Sequence, residues 1–335
     1  MARRVCVPDP AAVLPGEMPF LRAVTANLAD HTAKLVYADW LDEHNDPRGE
    51  YLRAFARAVQ NDKLLPITEN MPSGWCETVG APLVARLRAA DLGAYVPSLL
   101  PLARPVLELI GLTAVRDGRV TFGGSRLGGL PALARGSDWP RCKSGPLAFL
   151  AQFDLADLHA TVAGQVLPPA GVLSFFEYQD FDMGEHGPPL VVFTPPEETL
   201  EVLEPPDDLQ EETGRPGDPY TFQLRESLDL PKATDPWAAQ LGFPGVGAAD
   251  CWEVRDRYWQ VQLAQRGITH VLFGYARPRH LACDPIPGPE WEQLASFASD
   301  DDLRWGWGDG HELFWYIRSD DLRAARFDRT EAHDG

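Results

Sequence analysis

The sequence is poor in cysteine and lacks the patterns in which cysteine usually has a structural or chemical role. Its five cysteines are scattered and odd in number, and no two have the spacing of zinc ligands. These features argue against a disulfide scaffold and against a zinc finger. Free thiols in a reducing compartment are the simplest account, so we expect a cytoplasmic protein.

Basic residues are scarce relative to acidic ones. The chain has 30 lysines and arginines against 49 aspartates and glutamates, a formal net charge of -19. A field of this sign repels the phosphate backbone, so we expect no nucleic-acid partner. It would attract a basic protein partner, although a simply solvated acidic surface explains the charge as well.

Long apolar runs are missing too. The first six residues are basic without the apolar stretch of a signal peptide, and the most apolar window, residues 95–112, contains Arg104, Glu108 and three prolines. We therefore expect no membrane span. The 44% hydrophobic content, with 15 phenylalanines, 10 tryptophans and 8 tyrosines, predicts a sizeable core, and the 29 glycines and 31 prolines indicate many short elements.

No catalytic signature stands out. The glycine-rich segment 123–131 lacks the Lys-Ser/Thr ending of a phosphate-binding loop and the glycine spacing of a dinucleotide turn, so it predicts a tight turn. No serine or cysteine has the surroundings of a nucleophile elbow, and no histidine pair has helical spacing with a glutamate between. These absences favour a protein without enzyme activity but leave the question open, and we expect no cofactor and no bound metal.

The N-terminal part predicts three short helices. The first begins at Pro19, and its apolar side consists of Phe20, Leu21, Val24 and Leu28. Asp30 or Thr32 caps the second, whose predicted buried face is Leu35, Val36, Trp40 and Leu41. Asp46 caps the third, with Pro47 at its first position and Leu52, Phe55 and Val59 as its buried stripe.

These residues resemble the bacterial repeat-companion domain. The resemblance rests on residues 20–24, 34–44 and 46–53, which include the runs Tyr-Ala-Asp-Trp-Leu and Asp-Pro-Arg-Gly-Glu. Lys34 stands where members of that family often have arginine. The module heads many otherwise different proteins and has no established activity. The resemblance therefore implies a helical docking or scaffolding module over about residues 18–60.

The remaining chain predicts a helical layer and then a sheet. Residues 73–111 have helical spacing interrupted by prolines, and the composition shifts at Val115. Strands are predicted at 147–153, 171–178, 190–193, 220–228, 268–275 and 312–318. Residues 195–219 hold nine acidic residues and six prolines, so we expect a solvated, mobile loop. The predicted domains are 1–65, 66–114 and 115–335.

A longer series of motifs resembles the YwqG family. It comprises residues 127–131, 138–140, 145–155, 167–176, 270–275 and 307–317, with Leu322 and Phe327 closing the pattern. Val271 and Ala276 stand where the family has glutamine and proline. The resemblance covers about residues 115–330 and implies an α+β fold with a mixed, largely antiparallel sheet. The family has no settled activity, but its members often lie near toxin and immunity genes, which suggests a toxin-neutralising role by analogy.

Three readings of the function remain open from the sequence. The first is a protein-binding role, of the immunity or scaffolding type, in which residues 197–218 and 305–311 contact a basic partner. The second is a small-ligand site or a metal-assisted enzyme around His270, Asp309 and His311. A purely structural role, with the helical head docking elsewhere, is the third reading. The candidate binding residues are Trp139, Gln152, His270, Tyr275, Trp305, Trp307, Asp309 and His311.

Overall fold

The computed structural model describes residues 14–115, 123–177, 190–209, 217–231, 254, 256–258, 260–261, 270–275, 290–307 and 312–334. The chain divides into two compact units. The described residues of the sheet unit come from the ranges 108–224 and 269–335, and those of the helical unit from 8–107 and 225–268. The described residues among 225–268 are therefore grouped with those of the N-terminal helices.

The helical unit begins with three short helices, as the sequence predicts: α1 (Met18–Ala26), α2 (His31–Glu43) and α3 (Arg48–Gln60). The Asp30 carboxylate accepts hydrogen bonds from the amides of Thr32 and Ala33, so it caps α2. The Asp46 carboxylate accepts the amide of Arg48 at the start of α3. The following helices are α4 (Ser73–Val79), α5 (Ala81–Ala89) and α6 (Val96–Leu99).

The buried face of α2 differs from the predicted one. Its buried residues are Lys34, Tyr37, Ala38 and Leu41, whereas Val36 is 52% exposed. The prediction followed hydrophobicity alone. The helix is instead rotated so that two polar side chains, Lys34 and Tyr37, face the interior, where each finds a hydrogen-bond acceptor.

An ionic cluster explains this rotation. Arg48 at the start of α3 donates to the carboxylate of Glu17 over 2.6 Å and to that of Asp46 over 2.7 Å. The hydroxyl of Tyr37 donates to Glu17 and accepts from the indole nitrogen of Trp75 over 2.8 Å. Both Glu17 and Arg48 are almost fully buried. Charges removed from water need such close pairing, so the cluster joins α1, α2, α3 and α4 into one arrangement.

A ten-stranded sheet has the strand order β12-β11-β10-β9-β1-β8-β2-β4-β5-β6. Its strands are β1 (Arg104–Ala114), β2 (Arg126–Leu127), β4 (Ala148–Asp154), β5 (Val172–Glu177), β6 (Leu190–Thr194), β8 (Tyr220–Asp229), β9 (His270–Phe273), β10 (Trp291–Ala298), β11 (Glu312–Arg318) and β12 (Glu331–Asp334). Two short helices, α7 (Leu155–His159) and α8 (Ser319–Arg323), lie between strands. The predicted α+β class is confirmed.

Two predictions about the sheet need correction. Residues 104–111 form part of β1 and not a helix. A strand that was not predicted, β10, lies between β9 and β11 and pairs with both. Within the segment predicted to be a solvated loop, Leu200–Val202 forms β7, which pairs with β3 (Ala132–Ala134) in a separate two-stranded sheet.

The sheet curls so that distant strands touch. The ring of Phe175 on β5 lies 5.7 Å from that of Trp315 on β11, and Phe153 on β4 lies 6.3 Å from Phe297 on β10. These strands are separated by several others in the sheet order, so contact between them requires strong curvature. The inner face of the curled sheet is an aromatic core.

Candidate functional site

His270 lies at the start of β9, inside the curled sheet. It stands opposite Phe297 of β10 in the antiparallel register, and its side chain is fully buried. A histidine in such an apolar position needs a polar partner, since burial without one is unfavourable. The sequence placed His270 in a candidate site with Asp309 and His311, both of which lie outside the described residues.

The partner is Asp300. Its Oδ2 atom lies 3.1 Å from Nε2 of His270, while Oδ1 accepts hydrogen bonds from the amides of Asp302 and Leu303. The hydrogen bond from His270 is the largest influence on the pKa of Asp300 and lowers it below the ordinary value. Asp300 thus both caps the turn after β10 and fixes the orientation of the imidazole.

The same turn places aromatic rings around the imidazole. Asp300 and Trp305 exchange two backbone hydrogen bonds of 2.9 Å, which closes the turn. The Trp305 ring then meets the His270 ring edge-on at 5.4 Å, and Phe297 meets it at 6.1 Å. The ring of Trp307 lies 6.1 Å from that of Trp305, and the ring of Trp315 lies 5.1 Å from that of Phe297.

Three polar atoms of this aromatic group are buried without a hydrogen-bond partner among the residues that the structure describes. They are Nδ1 of His270 and the indole nitrogens of Trp307 and Trp315. Buried polar groups are almost always paired, so three such atoms in one cluster of rings require an explanation. The Nδ1 atom of His270 is able to accept a hydrogen bond, whereas the two indole N–H groups can only donate one.

The contact with Asp300 determines which hydrogen-bonding group the imidazole of His270 presents at Nδ1. A carboxylate accepts hydrogen bonds, so Nε2 carries the proton, and in the neutral ring Nδ1 presents a lone pair. A hydroxyl or an amide N–H from a small molecule would satisfy that lone pair. The described residues contain no group of three or more histidine, cysteine or acidic side chains placed to hold a metal ion.

The other predicted residues lie in several places. Trp305 and Trp307 belong to the His270 cluster and are buried. Tyr275 is buried just beyond β9, after Phe273, whose φ of 65° lies in the left-handed region that a bulky side chain rarely adopts. Asp309 and His311 lie outside the described residues.

Trp139 and Gln152 are buried away from the His270 cluster. The Trp139 indole donates to the carbonyl of Leu147 over 2.8 Å and packs edge-on against Phe176 at 6.1 Å. The amide oxygen of Gln152 accepts from the amide of Ala132 and from Arg126. Both side chains therefore hold loops against the sheet.

Sequence reasoning missed Asp300. The signal for it is local: in Ser299-Asp300-Asp301-Asp302-Leu303 an aspartate precedes two amides that its side chain can cap. The second part of the signal is not local, because only the register of β10 against β9 brings this turn to His270.

Among the residues that the structure describes, no helix combines the length and the apolar character needed to cross a bilayer. No curated protein matches the chain. A family model does match, over residues 125–333, which is more than half of the sequence and contains both the glycine-rich turn and the His270 cluster. The chain belongs to the family described as a domain of unknown function, DUF1963.

Proposed function

We propose that the sheet unit binds a small, neutral, hydroxyl-bearing molecule with a flat apolar body, and that His270 is the residue that recognises its hydroxyl group. The observation that carries this proposal is the buried Nδ1 atom of His270, which has no hydrogen-bond partner among the described residues while Asp300 holds Nε2. The hydroxyl donates to Nδ1.

The surrounding side chains support this chemistry. Trp305 and Phe297 supply aromatic faces, and the indole N–H groups of Trp307 and Trp315 are donors without described partners. A hydroxyl is both donor and acceptor, so one group can donate to Nδ1 and accept from an indole N–H. A charged ligand fits less well, because its charge would be desolvated among aromatic rings.

Phenol and anisole form a matched pair of probes for this proposal. They have similar shapes, but anisole has no O–H to donate. We expect phenol to bind measurably in a calorimetric titration and anisole to bind at least about tenfold more weakly, since loss of a buried hydrogen bond has that effect. Equal affinity for the two probes, or no binding of either, would contradict the proposal.

Two variants test which protein atoms contact the hydroxyl group of phenol. His270→Gln keeps an amide N–H at the position that donates to Asp300 but removes the Nδ1 acceptor. Trp307→Phe keeps a ring but removes the N–H. Both should weaken phenol binding. His270→Gln should leave the affinity for anisole unchanged, because anisole has no O–H to donate to Nδ1, and unaltered phenol binding by His270→Gln would contradict the assignment.

A basic protein partner is a second candidate, favoured by exposed acids around β7. The acidic side chains of residues 197–208 are all exposed and include Glu197, Glu198, Glu201, Glu204, Asp207 and Asp208. Val202 among them is 41% exposed. We propose that this acidic strip accelerates encounter with a basic protein in the cytoplasm, as an immunity or scaffolding factor would need.

The two family resemblances found in the sequence are also part of this proposal. We propose that residues 115–330 are of the YwqG type and that residues 18–60 are a repeat-companion module. In support, the shared motif residues Tyr37, Asp46 and Arg48 all take part in one buried cluster. Pull-down with the full chain and with a chain lacking residues 1–65, at low and at high salt, tests whether a partner exists and whether the head recruits it.

A further inference from the structure

Arg126 is a buried cation that has no acidic partner among the residues that the structure describes. Its side chain is 4% exposed, and no acidic residue in the described part of the chain lies within ion-pair distance of its guanidinium. Burial lowers the pKa of Arg126 to about 10, so the group remains charged at neutral pH. An uncompensated charge inside a protein is strongly unfavourable, and buried arginines are normally paired with carboxylates.

Carbonyl groups satisfy most of the guanidinium but leave its charge uncompensated. Nη1 donates to the carbonyl of Gly124 over 2.9 Å, Nε donates to that of Leu130 over 3.2 Å, and Nη2 donates to Leu130 and to the Gln152 amide oxygen. A guanidinium has five N–H groups, so these four bonds leave one N–H of Nη1 without an acceptor among the described residues. The contacts of Arg126 with Gly124 and Leu130 also hold the two ends of the glycine-rich turn together, which gives the residue a structural role.

The strand register adds a second polar group beside it. Arg126 of β2 is opposite Gln152 of β4, and Gln152 is opposite Ser174 of β5. Directly opposite residues project from the same face of a sheet, so the three form one row. Ser174 is fully buried, and its hydroxyl has no hydrogen-bond partner among the described residues. Neighbouring strands are about 4.8 Å apart, which places the hydroxyl one strand beyond the amide that the guanidinium already contacts.

This row faces an apolar cluster. Phe149 and Phe176, which are cross-strand neighbours, pack there with Leu133, Trp139, Leu147 and Leu209. The Arg126 guanidinium lies over the Phe149 ring at 5.8 Å. The face is distinct from the aromatic core around His270, because Phe153 and Phe175, which point into that core, flank Gln152 and Ser174 in the alternation of their strands.

We propose that Arg126 and Ser174 form a second binding site, which takes the carboxylate of a small monocarboxylic acid with an apolar body. One carboxylate oxygen accepts the available N–H of Arg126, and the other accepts the hydroxyl of Ser174. The charge of one buried guanidinium matches a monoanion, whereas a dianionic phosphate would leave a net negative charge in an apolar environment.

Titration of the full chain with benzoate, benzamide and inorganic phosphate tests the proposal. Benzamide has the shape of benzoate without its charge. Saturable binding of benzoate, at least about tenfold tighter than of benzamide or phosphate, is the expected result. No saturable binding of benzoate, equal binding of benzamide, or preferred binding of phosphate would overturn it.

The Ser174→Ala variant keeps the test independent of folding. It removes a buried hydroxyl that bonds to nothing described, so the variant should be at least as stable as the parent. Its affinity for benzoate should fall about tenfold, because a hydrogen bond to a charged group is lost. Arg126→Gln should abolish benzoate binding. Unchanged benzoate affinity in Ser174→Ala would leave Arg126 as a clamp for the glycine-rich turn and would refute the site.

Discussion

Nε2 of His270 lies 3.1 Å from Oδ2 of Asp300, although 30 positions separate the two residues along the chain. The carboxylate makes this contact while its other oxygen caps its own turn. A single acidic side chain therefore connects the local structure after β10 to the orientation of a buried imidazole.

Replacing Asp300 by asparagine should destabilise the sheet unit by about 1–3 kcal/mol at neutral pH, because the imidazole loses a charged acceptor in a buried site. Chemical denaturation followed by near-ultraviolet circular dichroism measures the loss. Asp301→Asn, which changes an exposed carboxylate in the same turn, is the matched control and should have no effect.

The pH dependence of this loss follows from the pKa of Asp300, which is lower in the folded protein than in the unfolded chain. Its contribution is fully present above the unfolded value, about pH 4, and disappears as pH falls through the folded value. The stability difference between the parent and Asp300→Asn should therefore be constant above about pH 5 and shrink below pH 4. A difference that persists unchanged into strong acid would contradict the pairing.

Lys34 predicts a second rise of stability with pH, in the alkaline range. Burial lowers the pKa of its ammonium group to about 8, from an ordinary value of 10.5. Between these values the unfolded chain binds more protons than the folded protein, so the free energy of unfolding rises with pH, by up to about 3 kcal/mol. Lys34→Met removes this titration. The stability of the parent should rise relative to the variant between pH 8 and 10.5, and parallel curves would count against a buried charged lysine.

The Arg48–Glu17 pair should be one of the most sensitive points of the helical unit. Arg48→Met leaves two carboxylates without their cation, and breaking a buried pair in this way costs about 3–5 kcal/mol. Arg53→Met is the control, since Arg53 pairs with the exposed carboxylates of Asp39 and Asp42. Urea unfolding, followed by the circular dichroism signal of the helices, compares the stability of the two variants. Similar urea midpoints for the two variants would contradict a large contribution of the buried cluster to the stability of the helical unit.

Gly49 should be irreplaceable for a steric reason. A β-carbon at this position would lie 2.8 Å from the carbonyl oxygen of Ala38 and closer still to the Asp42 carboxylate, so α2 and α3 would have to separate. Gly49→Ala should cost about 1–3 kcal/mol, as overpacking usually does. Gly217→Ala, where a β-carbon meets nothing within 4 Å, is the control. Equal thermal stability of the two variants would contradict this packing.

Most strands could be predicted because they are short, apolar and bounded by glycine or proline. The strand β10 could not, since Trp-Glu-Gln-Leu-Ala-Ser-Phe-Ala mixes residues that favour helices and strands. Its conformation depends on pairing with β9 on one side and β11 on the other. Residues 104–111 were misread for a related reason: leucine spacing continued the preceding helical pattern, but sheet pairing decides the outcome.

The candidate site was predictable only in part. His270 stands out as a polar residue at the head of an apolar strand, and Trp305 and Trp307 stand out by composition. Asp300 does not, because its role requires β10 to lie between β9 and β11. Arg126 was hidden in a segment read as a glycine-rich turn, and its burial follows from β2 pairing with β4. Contacts of this kind depend on the register between distant strands, which single-sequence patterns do not contain.

The central claim is that Nδ1 of His270 is an unprotonated, ligand-contacting acceptor. The direct measurement is the ¹⁵N resonance of that atom in histidine-labelled protein at neutral pH, during titration with phenol and then with anisole. We predict an unprotonated Nδ1 whose resonance moves on saturation with phenol and stays in place with anisole. A protonated Nδ1, or a resonance that phenol does not move, would contradict it.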